Sequence, residues 1–365
     1  MFKLEENWVV FFDLFSTNNN GDSIKPVAEE LRKQRPDLKF FFCCHKNQKK
    51  NIELADEILI NKSLKFKYVC MKAKYIISNM GFPNKRFKRN GQVFIQIWHG
   101  SPIKKLYLSK DKTDKRYKKH IKDVKQYKKT DVFCLQGEYF RKIFEEAFNL
   151  KSEQLAGTGL PRNDILFKDD KLFDQNLKKQ LKLPDNKKVI LYSPTWRRYD
   201  HKTLLPFDLQ YLKKELSDEF VLLLRSHVGR HKWTNENNEP INIFDNKFCF
   251  NGGEYPDITD LYRISDILIS DYSSAVFDFA LTRKPEILYI YDYEDYKKEF
   301  GLYFDYNNFA PFPTPRTQEE LVNAIKNYPE ISVQYEGFVN KYCEYETGCS
   351  TQNVISEMLK RGSQK

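Results

Sequence analysis

The stretch "SDILISDYSSAVFDFALTRKP", Ser265 to Pro285, decides the fold. Ile267 to Ser270 is a short apolar run, and a run of that length bounded by turn residues suits a buried strand. Asp271-Tyr272-Ser273-Ser274 follows, and serine is a favoured helix N-cap. The spacing from Ala275 to Leu281 then predicts a helix. A strand that passes so directly into a helix fits a parallel sheet with helices packed on it.

The same alternation extends outward in both directions. Val189–Ser193, Phe220–Ser226, Lys247–Phe250, Asp266–Ser270 and Glu286–Ile290 read as strands. Asp208–Leu216, Ile258–Ile264 and Gln318–Ile325 carry helical spacing between them. An earlier series repeats the pattern: strands at Trp8–Asp13, Lys39–Cys44, Glu57–Ile60, Tyr75–Ser78, Val93–Trp98 and Asp131–Leu135, with helices at Lys25–Gln34 and Glu138–Phe148. From Asp164 to Lys188 the chain turns polar and lysine-rich, which marks a boundary. The expected architecture is α/β, with two doubly wound Rossmann-like domains over 1–170 and 185–345. A C-terminal helix over 346–365 can cross back to the first domain. A length of 365 residues suits two such domains. No repeat of fixed period and no low-complexity tract interrupts them.

Sixty-one Lys and Arg face 50 Asp and Glu, a net charge of +11 that favours anionic partners. Most of it lies between Lys104 and Lys129, where twelve Lys and Arg face three Asp, a local net of +9. Tyr117, Ile121, Val124 and Lys128 fall at helical spacing there. A helix with that apolar stripe, flanked by Lys115, Arg116, Lys118, Lys119, Lys122 and Lys125, suits an anionic membrane surface. A solvated lysine-rich helix is the plain alternative. A nucleic-acid patch is disfavoured, because no recognisable binding module accompanies it. The seven cysteines are scattered with no C-x-x-C pair, so reduced buried thiols are expected. Met1-Phe2-Lys3 runs into acidic residues rather than a signal peptide, and no apolar run approaches the ~20 residues of a spanning helix. A cytoplasmic protein is expected.

Four strand ends carry polar residues, and ligands of open α/β sheets bind beyond the carboxyl ends of the strands. The first is Trp98-His99-Gly100-Ser101-Pro102, where a histidine able to take a proton near neutral pH meets a sharp turn; a packed core histidine is the alternative. The second is Ser193-Pro194-Thr195-Trp196-Arg197-Arg198, whose hydroxyls and guanidiniums suit phosphate oxygens or simply an ordinary polar loop. The third is Arg225-Ser226-His227, which places Arg225 and His227 on one side of an extended chain end. His227 and His231 are four apart, but Gly229 argues against a helical zinc pair and no third ligand is evident. The fourth is Asp271 to Ser274, where two hydroxyls and the amides of a helix start can cradle a phosphate. Simple capping is the competing reading there, and Asp257-Ile258-Thr259-Asp260 reads as capping of its own helix. The absence of G-x-G-x-x-G, of a Walker loop and of G-x-S-x-G argues against dinucleotide redox enzymes, P-loop NTPases and α/β hydrolases.

"WHGSPIKKL" (Trp98–Leu106), "GLPRND" (Gly159–Asp164), "VILYSPTWR" (Val189–Arg197), "LLLRSH" (Leu222–His227) and "DITDLYRISDILISDYSSAVFDFALTRKP" (Asp257–Pro285) occur in that order. Together they resemble the CDP-glycerol glycerophosphotransferase family of teichoic acid and capsule synthesis. The resemblance implies a GT-B architecture with two domains facing a central cleft, and peripheral attachment to the inner face of the cell membrane. It implies CDP-glycerol or CDP-ribitol as donor, a lipid-linked saccharide or growing polymer as acceptor, and CMP as product. By position, His99 becomes the catalytic base. Arg225, His227, Ser273 and Ser274 become holders of the diphosphate, His227 also stabilising transition-state charge. Thr195, Asp257, Thr259, Asp271 and Asp278 become candidates for the nucleotide or alditol. No cofactor, no metal and no nucleic acid is expected. One departure stands out: where the family carries Arg-Gly before an aromatic stretch, this chain has Phe300-Gly301-Leu302-Tyr303. A glycosyltransferase of the same architecture, using a nucleotide-sugar donor, is the alternative enzyme.

Overall fold

The computed structural model describes residues 3–13, 23–44, 52–83, 88–197, 205–226, 233–234, 239, 241–328 and 333–364. Its elements begin β1 (Glu5–Phe12), α1 (Ile24–Gln34), β2 (Lys39–Cys44), β3 (Glu57–Ile60), α2 (Leu64–Lys72), β4 (Ala73–Ser78) and β5 (Val93–Gln96). Then come α3 (Tyr117–Val124), β6 (Val132–Cys134), α4 (Arg141–Phe148), β7 (Leu155–Ala156), α5 (Lys171–Gln180), β8 (Lys188–Tyr192), α6 (Leu209–Leu216) and β9 (Phe220–Leu224). The series closes with β10 (Cys249–Asn251), α7 (Ile258–Ile264), β11 (Ile267–Ser270), α8 (Ala275–Ala280), β12 (Glu286–Leu288), α9 (Tyr293–Phe300), α10 (Gln318–Lys326), α11 (Val333–Tyr342) and α12 (Ser350–Ser363).

The chain forms two compact units. Unit 1 contains Met1–Ser101, Leu106–Asp164 and Lys341–Lys365; unit 2 contains Pro102–Lys105 and Ile165–Asn340. Unit 1 is built on a parallel sheet in the order β3-β2-β1-β4-β5-β6-β7. Val93, Ile95 and Ile97 point to one side with α1 and with Val354, Ile355 and Met358 of α12. Phe94 points to the other, with Phe66, Val69 and Cys70 of α2. Alternation in β5 therefore buries both faces, as a sheet covered by helices requires. Unit 2 is built on a parallel sheet in the order β10-β9-β8-β11-β12, again with an apolar layer on each face. Strand order reverses between β1 and β4 in unit 1 and between β8 and β11 in unit 2, and these are the switch points where such sheets open a crevice.

The border between the two units falls between Asp164 and Ile165, at the start of the polar stretch, and that stretch also carries a helix. Asp170 accepts from the Phe173 amide at 3.0 Å and starts α5, whose Leu177 is buried. Arg263 then pins that helix through Asp174 at 2.7 Å. β5 stops at Gln96 rather than Trp98, because Trp98 turns into the left-handed region at φ +62°. The stripe proposed on the basic segment also divides. α3 ends at Val124, which is buried, while Ile121 is 44% exposed. Six of the seven cysteines are buried, and Cys349 is exposed. Among the described residues no helix is long and apolar enough to cross a membrane.

Candidate functional site

In unit 2 the switch point is organised by Asp271, at the carboxyl end of β11. Its carboxylate accepts from the Thr195 amide at 2.9 Å, the Thr195 hydroxyl at 2.5 Å and the Tyr272 amide at 2.7 Å. Arg197 contacts its second oxygen at 2.8 Å. Arg197 also reaches Asp292 through Nε at 2.6 Å and through its other fork nitrogen at 3.0 Å. Its guanidinium carbon lies 4.7 Å from the Tyr296 ring centroid and 5.2 Å from that of Tyr272. Burial opposes the arginine charge, but Asp271 and Asp292 more than offset it and raise the pKa. The loops after β8, β11 and β12 are thus tied to one buried cation. Thr195 and Asp271 do come together, but their polar groups are spent on each other and on Arg197. Arg197, expected to meet phosphate, is a scaffold residue; Arg198 lies outside the described residues.

Ser273 and Ser274 stand beyond this knot, both partly exposed. The first amides of α8 are already used: Ala275 donates to the Ser273 hydroxyl at 3.2 Å, and Val276 and Phe277 donate to the Ser273 and Ser274 carbonyls. Ser274 holds the N-cap position without a side-chain capping bond. The turn therefore offers an anion its hydroxyl donors rather than those amides. Arg225, just past β9, is buried and donates to the carbonyls of Gly252 at 3.0 Å, Tyr255 at 2.5 Å and Pro256 at 3.0 Å. Burial lowers its pKa, and Tyr262, Asp257 and Tyr255 nearby oppose that shift in part. Its hydrogen bonds go to carbonyl oxygens, which leaves the guanidinium charge suited to a ligand anion. Asp257 sits at the N-cap of α7 without a side-chain capping bond, contrary to the capping expected there. Thr259 and Asp278 are buried, the latter on α8 beside Glu286. His227 and His231 lie outside the described residues. Among those described, no cluster of three or more His, Cys, Asp or Glu could hold a metal ion.

In unit 1 the turn after β5 presents His99. Gln96 accepts from the Trp98 amide at 2.9 Å and donates to the Met80 carbonyl. Gly100 continues the turn at φ +129°, a conformation that glycine tolerates. The left-handed backbone of Trp98 costs about 1–2 kcal/mol. Packing offsets it, because the indole meets Phe148 at 4.9 Å, Tyr127 at 5.8 Å, Phe133 at 6.1 Å and Tyr107 at 6.4 Å. Such aromatic pairs contribute about 0.5–1.5 kcal/mol each beyond buried area. His99 is exposed, with its ring 3.9 Å from that of Trp98 and Nδ1 3.3 Å from the Asn79 carbonyl. A proton on Nδ1, facing that carbonyl, makes Nε2 the basic nitrogen. This is not a packed core histidine. Asn79 and Gln96 escaped sequence reading, since neither has a motif and only the β4–β5 register brings them beside the turn.

The six basic residues Lys115, Arg116, Lys118, Lys119, Lys122 and Lys125 are all exposed. Phe300 is buried against Tyr296 at 4.6 Å. Lys104 lies over its ring at 5.9 Å and forms an antiparallel bridge with Leu302.

Residues 1–360 match the family described as CDP-Glycerol:Poly(glycerophosphate) glycerophosphotransferase. The teichoic acid poly(glycerol phosphate) polymerase of Bacillus subtilis (strain 168) is 30% identical over 370 residues, covering 96% of this chain. This chain spans only 48% of that polymerase. Its counterpart in Bacillus spizizenii is 32% identical over 372 residues, covering 96% of this chain and 92% of the relative. A solved structure of the wall teichoic acid polymerase TagF superposes with a TM-score of 0.88 at 27% identity, over 99% of this chain and 90% of that one. Another TagF structure, soaked with CDPG, gives the same TM-score at 26% identity. The two Rossmann-like units are thus of GT-B type, and the chain belongs to the CDP-glycerol:poly(glycerophosphate) glycerophosphotransferase family of enzymes.

Proposed function

We propose that this chain transfers glycerol phosphate from CDP-glycerol to a hydroxyl of a teichoic-acid-type acceptor and releases CMP. The observation that carries the reading is His99: an exposed imidazole at a strand end, its Nδ1 directed at the Asn79 carbonyl and its ring tilted against a tryptophan in the left-handed region. The acceptor oxygen attacks the β-phosphorus. The bond from that phosphorus to the bridging oxygen breaks, and the oxygen leaves with CMP. His99 takes the acceptor proton, a contribution of about 10²–10⁴-fold. Arg225, Ser273 and Ser274, with His227, hold the diphosphate and meet its developing charge. Asp271, Thr195 and Arg197 act one step back, by fixing the turn that carries the serines.

The acceptor is read as lipid-linked. The exposed lysines of Lys104–Lys129 then hold the enzyme at the inner, cytoplasmic face of the membrane, each worth about 1 kcal/mol near an anionic surface. Incubation with CDP-glycerol, CDP-ribitol and UDP-sugars tests the chemistry. CMP release from CDP-glycerol is expected. Release of UDP or UMP without CMP would reject the reading in favour of a glycosyltransferase.

A further inference from the structure

The basic segment and the His99 turn share one aromatic cluster inside unit 1. Tyr107 and Tyr127 both belong to the Lys104–Lys129 segment, and their hydroxyls are 3.1 Å apart. Tyr127 meets Trp98 edge-on, Tyr107 lies tilted beside it, and Phe148 packs against all three rings. On α3 the exposed side carries Lys118, Lys119, Ile121 and Lys122. From the same helix His120 packs edge-on to Tyr107 at 5.6 Å, and neither buried ring nitrogen has a hydrogen-bond partner among the described residues. One short helix thus presents cations outward while its inner contacts lie a single ring away from Trp98.

We propose that Tyr107 and Tyr127 are positioning residues for His99, acting through Trp98, so that seating the basic segment on an anionic lipid surface and orienting the base are coupled. The proposal rests on the reading of His99 as the base. Close-packed interiors give a ring little room to move without its neighbours. Trp98 sits in a left-handed conformation within this cluster, so a shift of Tyr127 reaches the ring that His99 lies tilted against. A surface can bias such an arrangement only by binding one form better. Anionic lipid binds the form in which the lysines face outward, and that form keeps Tyr127 and Tyr107 against Trp98.

The test uses the full chain, CDP-glycerol and a water-soluble acceptor without a lipid tail. CMP release is measured without vesicles, with phosphatidylcholine vesicles, and with vesicles containing phosphatidylglycerol. The wild-type kcat should rise about tenfold on anionic vesicles only, within the range that repositioning a catalytic group can give. Tyr127→Leu should sediment with those vesicles like wild type yet lose the rise, and Tyr127→Phe should keep it. Tyr107→Leu serves where Tyr127→Leu does not fold. The ratio compares one preparation with and without lipid, so a smaller folded fraction does not alter it. A wild-type enzyme that ignores anionic vesicles, or leucine variants with the wild-type ratio, overturns the proposal. His99→Ala is assayed alongside. Retained activity in that variant overturns the base reading itself, whereas an inactive His99→Ala beside an unresponsive wild type overturns the coupling alone.

Discussion

Arg197→Met would strip two buried carboxylates of their counter-ion at once. The side chains of Arg197, Asp271 and Asp292 are only 7%, 3% and 9% exposed, so water cannot readily replace the lost guanidinium. Breaking a buried pair from one side costs about 3–5 kcal/mol. The lost stacking on Tyr272 and Tyr296 adds about 0.5–2 kcal/mol. A domain of the size of unit 2 loses about 2–4 °C of Tm per kcal/mol, so its transition should fall by about 7–28 °C. Arg197→Lys keeps the charge but not the fork, and recovers only part of the loss. Scanning calorimetry reads the effect, and donor titration adds a second reading. Ser273 lies two residues beyond Asp271, so the KM for CDP-glycerol should rise in the surviving enzyme. A fall of less than about 2 °C for Arg197→Met would refute the reasoning, since it would mean the carboxylates are hydrated or protonated without cost.

Three other predictions follow from groups described above. His99→Ala should lower CMP release by about 10²–10⁴-fold while leaving CDP-glycerol binding intact, and an unchanged kcat would remove His99 from the chemistry. Burial holds Glu286 well above the ordinary carboxylate value of 4.5, with the Tyr335 hydroxyl opposing and Asp278 adding a smaller push upward. Its stabilising contribution is complete below that ordinary value and is lost as pH climbs toward the raised one. Urea midpoints should therefore decline as pH rises above the ordinary carboxylate value in wild type and less steeply in Glu286→Gln; equal slopes would show that Glu286 does not titrate differently on folding. Replacing Lys118, Lys119 and Lys122 together by Gln should weaken partition onto anionic vesicles by about 100-fold, and unaltered sedimentation would place the docking surface elsewhere.

Much of the fold was legible because parallel strands buried on both faces are continuous apolar runs. Lys39–Cys44, Glu57–Ile60 and Ile258–Ile264 emerge with the expected bounds. The helix after Asp170 gives no helical signal in the sequence because Leu177 is its only buried residue, too little to mark an apolar stripe against its lysines. Trp98 looked like strand because its neighbours alternate, and nothing local signals a left-handed tryptophan. The candidate site was legible as residue types at strand ends, but not as roles. Arg197 pairs with a carboxylate 95 residues away, a partnership that only the fold creates. It turns an expected phosphate ligand into the centre of a structural knot.

The division of unit 1 into three chain segments has a consequence for biosynthesis. Its sheet is covered on one side by α12, and the Ser350 amide donates to Asp164 across 186 residues of intervening chain. At ribosomal speeds of about 5–20 residues per second, that interval lasts about 10–40 s. All of unit 2 except Pro102–Lys105 is synthesised within it. Unit 2 can therefore fold while unit 1, whose strands were made first, still exposes the apolar face that awaits Val354, Ile355 and Met358. Until α12 is made, the strands that lead to the His99 turn lack the apolar cover of Val354, Ile355 and Met358, and that cover arrives after the segment that carries Arg225 and the serines.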